Sequence, residues 1–309
     1  MRGAFLNTLL ELAERDPRVF FLTGDLGFWV VEPFAAKFPD RFINVGVAEQ
    51  NMVGIATGLA ESGLMPFVYS IVTFATLRAY EFIRNGPVLH GLPVRIVGVG
   101  GGVEYSHNGP THFGLEDVGV MRVQPGLTVI APADAAQTRN ALLSTWDMKG
   151  PIYYRLGKDD KAAVPGLNGE FDIERVQRVR SGEDLLIVAM GSIATEACAA
   201  AEELAKQGVS CAVAVVSCLN PAPVRDLADL LSGYQRVICV EAHYANGGLG
   251  SLVAEVIAEN GINCRLTRSA VKENPHGVIG SQDFLYRKYG ISRASLIEVA
   301  MQSLDLAKK

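Results

Sequence analysis

Short runs of β-branched and aromatic residues alternate along most of the chain with longer segments of helical period, and a parallel sheet covered by helices satisfies such a pattern. Strands are predicted at residues 19–23, 42–45, 67–70, 94–99, 127–130 and 152–155, with helices at 5–15, 48–61, 74–90 and 135–147 between them. The alternation lapses across 156–184, a charged stretch with Pro165 and several glycines that reads as a linker carrying one short hairpin. It resumes with strands at 185–190, 211–217, 236–241 and 264–267 and helices at 194–207, 249–259 and 295–304. The expected fold class is therefore α/β, with two doubly wound domains over 1–165 and 175–309.

Hydrophobic residues make up 49% of the 309 and charged residues only 20%, below the ~25% usual in soluble domains, so much of the surface is expected to be buried or held in an interface. Lys and Arg number 28 against 33 Asp and Glu; the resulting charge of −5 offers a phosphate backbone no global attraction and argues against nucleic acid as a partner. Cys198, Cys211, Cys218, Cys239 and Cys264 form no C-x-x-C pair. They indicate neither a zinc site nor a disulfide framework, and a reducing, cytoplasmic location fits them best. The opening MRGAFLNTLLELAERDPR breaks its apolar positions with Asn7, Glu11 and Glu14 at helical spacing, unlike a secretory signal. No stretch approaches the ~18 apolar residues needed to span a membrane.

Familiar motifs are incomplete. GVGGGV at 98–103 has Val103 where a dinucleotide fingerprint needs its last glycine, so a flexible, ligand-facing loop is expected there instead. GGLGSLV at 247–253 also lacks that glycine and reads as a turn starting a helix. Gly24, Asp25 and Leu26 followed by Asn44 imitate the GDG…N signature of a metal diphosphate site, but Leu26 replaces a glycine and the spacing is too short. No metal site is assigned to this chain. The absence of G-x-x-x-x-G-K-[ST], G-x-S-x-G and H-E-x-x-H removes the usual support for nucleotide triphosphatase and hydrolase readings.

The informative stretch is FPDRFINVGVAEQNMVGIATGLAESG at 38–63: a strand, a tight turn at Gly46, and a helix rich in Ala48, Gly54, Ala56, Gly58 and Ala60. Glu49 falls in the first helical turn, where taken alone it reads as a solvated carboxylate favoured by the helix dipole. The stretch, however, closely resembles the pyrimidine-binding domain of the transketolase family. TFATLRAYEFIRN (73–85), NGPTHFGLED (108–117), LTVIAPAD (127–134), PIYYRLG (151–157), EAHYANGGLGSLVAE (241–255) and IGSQDFLYRKYG (279–290) follow in family order, so the resemblance covers essentially the whole chain. It implies a thiamine diphosphate pyrimidine-binding domain followed by a transketolase C-terminal-like domain. The family's diphosphate-binding domain, with its GDG…N motif, is missing.

The resemblance gives individual residues roles. Glu49 matches the acid that hydrogen-bonds the cofactor's pyrimidine nitrogen, so that the cofactor's own amino group can remove the thiazolium proton. To hold or share a proton it is expected to be buried among small and apolar neighbours. Phe74 corresponds to an aromatic residue around the aminopyrimidine, with Leu77 and Tyr80 one and two turns on along the same face, although an ordinary apolar stripe accounts for Leu77 equally well. Asp25 matches an aspartate near the cofactor, or alternatively caps a strand end. His112 resembles the histidine that faces the donor's reacting carbon, and His107 is close enough in sequence to line the same cavity. Asn108 stands where sugar-phosphate enzymes carry an aspartate. Arg155 and Arg2 resemble the phosphate-binding arginines. Gly100 replaces a phosphate-binding histidine, and Trp29 falls near a phosphate-binding serine. A reshaped acceptor site is the consequence, with an indole beside the channel.

The implied activity is transfer of a two-carbon ketol unit from a ketose donor to an aldehyde acceptor, both small sugar-like molecules. It would depend on thiamine diphosphate and on a partner chain carrying GDG…N, which would hold a divalent metal (Mg2+ or Ca2+) in an α2β2 assembly. The beta subunit of a 2-oxo-acid dehydrogenase decarboxylating component and a 1-deoxyxylulose-5-phosphate-synthase-like enzyme share these domains. GPTH with downstream Glu116 and Asp117, and Phe74 followed by Tyr80, fit transketolase better. Retention of Glu49, Phe74 and His112 together argues against a non-catalytic scaffold.

Overall fold

The structure, a computed structural model, describes residues 1–305, so the last four residues of the expected second domain lie outside the described residues. Its first sheet contains β1 (Val19–Thr23), β2 (Phe42–Asn44), β3 (Met65–Ile71), β4 (Arg95–Val99), β5 (Thr128–Ile130) and β6 (Ile152–Leu156), all running parallel. Helices over Arg2–Arg15, Glu49–Glu61 and Ala135–Thr145 cover it. Because both faces are covered, β3 is a nearly continuous apolar run rather than an alternating one. On one face Leu22, Val68 and Ile96 pack with Met52, Val53, Ala56 and Ala60. On the other, Phe5, Phe21, Phe67 and Tyr69 form an aromatic cluster.

The second sheet is formed by β7 (Gln177–Arg180), β8 (Leu185–Met190), β9 (Cys211–Val215), β11 (Arg236–Tyr244) and β12 (Arg265–Val271), in the order β12-β11-β8-β9-β7. The α/β class and the two doubly wound domains are as expected, and four local features differ. The 156–184 linker forms no hairpin: β7 crosses to pair antiparallel with β9. A short β10 (Cys218–Asn220), leaving the second domain, pairs antiparallel with β5 and extends the first sheet to seven strands in the order β10-β5-β6-β4-β3-β1-β2.

The helix expected over 74–90 is not uniform. Phe74–Arg78 and Arg84–Val88 are wound as π-helix around a short α-helical turn, Tyr80–Ile83, and Pro87 lies in the second π segment. Finally, the glycine run is a packed crossing point and not an open loop. A side chain at Gly101 would collide with the Arg155 guanidinium, and one at Gly102 (φ +67°) with Ala242 of the second domain.

Candidate active site

Glu49 is positioned by a relay at the carboxyl ends of β1 and β2. The Asn44 side chain donates to Asp25 Oδ1 at 3.0 Å, while Asn44 Oδ1 accepts from the backbone N–H groups of Asp25 and Gly46, each at 3.0 Å. Those bonds hold Asp25 at φ +57° and Gly46 at φ +73°, conformations that Asn, Asp and Gly adopt most readily. The chain then turns directly into the helix, whose first residue is Glu49. Asp25 and Asn44, the imitation of a metal signature, thus brace each other.

The Glu49 side chain is 1% exposed. Its surroundings are not simply apolar, as the sequence had led us to expect: Oε1 accepts from Ser70 Oγ at 2.9 Å and Oε2 from Arg78 Nη1 at 2.5 Å. Gly24 lies against the carboxylate, where a Cβ would be in ordinary van der Waals contact with Oε1 at 3.4 Å. From Glu49 a continuous line of groups runs outward. The Arg78 guanidinium lies 4.3 Å above the Phe74 ring, and Phe74 meets the His112 ring edge-on at 5.2 Å. His112 is 6.0 Å from the Tyr105 ring, and Lys158 Nζ sits 4.2 Å from the centre of that ring. Burial, then repulsion from Arg2, pushes the Lys158 amine below its ordinary range. Arg2 Nε is itself buried with no hydrogen-bond partner.

The structure therefore brings Glu49, Phe74 and His112 into one connected line and adds Arg78, Tyr105 and Lys158, which the sequence did not single out; Arg2 is tied to it through the effect of its charge on Lys158. Other expected residues lie elsewhere or are otherwise engaged. Tyr80 donates its hydroxyl to Val120 O at 2.9 Å and anchors the helix Asp117–Arg122. Leu77 is partly exposed at the surface, and Trp29 is 95% exposed with its backbone N–H bonded to Glu32, so its indole borders no channel formed by this chain. His107 and Asn108 are exposed on a single turn, Ser106–Asn108, that leads into the turn Pro110–His112.

Arg155 is buried at the domain junction. Its Nε donates to Asp117 Oδ2 at 2.8 Å, and Nη2 donates to Gly114 O at 3.0 Å and Ala242 O at 2.9 Å, so these donors are spent inside the protein. Beside it, Glu104 accepts from Ser192 Oγ and the Lys158 backbone N–H, and burial holds its carboxyl above the usual glutamate range. The GGLG turn is closed from within by Glu241, which accepts from Leu249 N–H at 2.7 Å and Gly250 N–H at 2.8 Å, so that helix N-terminus is already occupied by a carboxylate.

A buried carboxyl group near an aromatic face can hold a nitrogenous aromatic ring, sharing a proton with a ring nitrogen at its edge and offering an apolar surface to lie on. Comparison with known proteins gives this arrangement a class. The description "Transketolase, pyrimidine binding domain" matches residues 1–161 and "Transketolase, C-terminal domain" matches residues 174–296. The chain belongs to the transketolase family, in which it corresponds to these two domains. The 6-deoxy-6-sulfo-D-fructose transketolase subunit SqwH of Clostridium sp. (strain MSTE9) is 36% identical over 301 residues, covering 97% of this chain and 93% of that protein. An apulose-4-phosphate transketolase subunit of Phocaeicola vulgatus is 33% identical over 306 residues, with 97% and 96% covered. A solved "split gene transketolase, inactive beta4 tetramer" superposes with a TM-score of 0.87 at 33% identity, covering 99% of this chain and 98% of that one. No helix among the described residues is long and apolar enough to cross a membrane.

Proposed function

We propose that this chain is the pyrimidine-binding subunit of a two-chain transketolase, transferring a two-carbon ketol unit between sugar-like substrates with thiamine diphosphate. The observation that carries the proposal is the buried Glu49 carboxylate, set at the head of a connected line through Phe74 to His112. The residues fit the pyrimidine half of the cofactor: the Glu49 carboxyl can share a proton with the ring nitrogen, and the Phe74 face supplies the platform. The diphosphate and its divalent metal are assigned to a partner chain carrying GDG…N.

When bound, the cofactor supplies a nucleophilic carbon and an electron sink for cleaving the donor's carbon–carbon bond. Glu49 holds or shares the proton at the pyrimidine nitrogen, with Ser70 fixing its orientation. His112 faces the substrate; Thr111 Oγ1 lies 2.9 Å from its Nδ1, which leaves Nε2 for a substrate oxygen. At the far end of the line, Arg2 and Lys158 supply positive charge, whereas Arg155 is committed to the domain junction. With Gly100 and Asn108 in place of a histidine and an aspartate, the substrates depart from ordinary pentose phosphates.

The partner docks over the carboxyl ends of β1 and β2 and along the segment 74–90, where Phe28, Trp29, Val47, Leu77, Phe82 and Leu89 leave large apolar surface exposed. Each cofactor then bridges two chains in an α2β2 complex. A chain without its partner is silent, in keeping with the inactive beta4 tetramer of the similar split-gene protein. The test is copurification of a GDG…N chain with this one, followed by a ketol-transfer assay across a panel of ketose donors. Absence of transfer by a complex that binds thiamine diphosphate would sink the proposal. Turnover of xylulose 5-phosphate with ribose 5-phosphate at ordinary transketolase efficiency would refute the altered specificity alone.

A further inference from the structure

Arg78 has no part in the scheme above, yet it touches both groups assigned to the pyrimidine. Its Nη1 donates to Glu49 Oε2 at 2.5 Å, and its guanidinium carbon lies 4.3 Å from the centre of the Phe74 ring. Phe74 and Arg78 open and close the turn Phe74–Arg78, and their four-residue spacing places the later side chain over the earlier ring. Among the described residues Glu49 is the acceptor that Arg78 engages, and the Arg78 side chain remains 36% exposed while Glu49 is 1% exposed.

A guanidinium is planar, donates N–H bonds in its own plane, and stacks on aromatic faces. An aminopyrimidine ring engaging the same carboxylate and the same phenyl face would use the same three properties. A charged carboxylate buried as deeply as Glu49 is costly without a partner, whereas an arginine at the rim loses little by turning out into water. Breaking the contact is therefore costly while Glu49 is left unpaired, and costs little once another group engages the carboxylate.

We propose that Arg78 is an internal competitor for the cofactor's aminopyrimidine: it holds Glu49 and covers Phe74, and it swings outward when that ring enters. The proposal rests on the reading of Glu49 and Phe74 as the cofactor's partners. Arg78 is thus a positioning residue. It sets how tightly the cofactor binds, and it keeps the activating carboxylate oriented and shielded from water until the ring arrives.

The experiment uses the complex of this chain with its partner, as wild type, Arg78→Met and Arg78→Lys. Each is first checked for folding by thermal unfolding without ligand. Calorimetric titration then compares thiamine diphosphate with pyrophosphate, both with Mg2+; the second probe has no pyrimidine. Arg78→Met should bind thiamine diphosphate about tenfold more tightly than wild type, a change equivalent to ~1.4 kcal/mol. Arg78→Lys keeps the cation but not the planar stack, so it should fall between the two and carries the test if the methionine variant does not fold. Pyrophosphate affinity should not move. Unchanged or weaker thiamine diphosphate binding by a folded variant overturns the proposal, as does an equal gain for pyrophosphate. If the wild-type complex binds pyrophosphate but gains nothing from the rest of the cofactor, the assignment of Glu49 and Phe74 has failed, and the competitor role falls with it.

Discussion

Replacing Glu49 with glutamine separates the chemical role of this carboxylate from its structural one. Glutamine has nearly the same shape, and its amide can point its oxygen at Arg78 Nη1 and its nitrogen at Ser70 Oγ, a hydroxyl that can turn to accept. Both contacts survive, and what is lost is the charge assistance from Arg78. Because Arg78 is 36% exposed, solvent screens that contribution, and the stability change should stay below ~1 kcal/mol. The catalytic loss should be far larger. A neutral amide cannot exchange the proton on which cofactor activation depends, and acid–base groups supply ~10² to 10⁴ in rate, or ~2.7 to 5.4 kcal/mol of barrier. Denaturant unfolding of the variant and turnover by its complex with the partner measure the two effects separately. Turnover within ~10-fold of wild type would return Glu49 to the status of a first-turn acid favoured by the helix dipole. A stability loss above ~3 kcal/mol would instead make it a structural member of a buried ion pair.

Three further outcomes follow from the geometry. The rigorously purified chain should show no ketol transfer until its partner is added, and turnover by the single chain would refute the two-chain scheme. Arg155→Met should destabilise the protein by ~3 to 5 kcal/mol, because it strands Asp117, which is 1% exposed and already has one oxygen without a partner. Adding Asp117→Asn should recover part of that loss in thermal unfolding, whereas additive losses would argue against the pair. Burial raises the Glu104 carboxyl above its ordinary value, so the folded chain keeps that proton to higher pH than the unfolded chain does. The stability this group contributes is complete below the ordinary value and is lost as pH rises through the raised one. Wild type should therefore lose stability relative to Glu104→Gln between acid and neutral pH, and a gap that is constant or widens in favour of wild type would contradict this.

The α/β class was legible because both periodicities are local: buried parallel strands such as β3 and β8 are unbroken apolar runs, and their covering helices repeat at helical spacing. Glu49 is different: its place in the first helical turn is local, but the pattern alone reads it as solvated, and its burial is anticipated only through the family resemblance. Contacts between distant segments were not legible. β10 reads as part of the second domain, but its pairing with β5 depends on how the two domains meet. Arg155 reads as an anion receptor, because nothing near it in sequence announces that Asp117, Gly114 and Ala242 take up its donors. Lys158 and Arg2 are far apart along the chain and become neighbours only because the segment after β6 folds against the first helix, where Asp160 accepts from the Gly3 and Ala4 N–H groups.

Arg78 shows most directly where a sequence pattern stops short. At 3.6 residues per turn, residues three and four apart share a face, so the apolar spacing of Phe74 and Leu77 marks Leu77 as the next group along the stripe. Arg78, four residues on, shares that face as well, here on a turn wound as π-helix. Arg78 then lies over Phe74 while Leu77 moves toward the surface. The neighbour of the buried carboxylate is thus cationic and not apolar. Nothing in the apolar pattern of TFATLRAY reports the π winding or the choice of Arg78, because arginine and leucine are both good helix formers and neither marks a break. Winding of this kind recurs at functional sites because the wider turn is less stable than an α-helical one and persists where packing or ligand contact compensates. Here the contact at the end of the wide turn is that of Arg78 with Glu49, so the path of this segment and the surroundings of the buried carboxylate are set together.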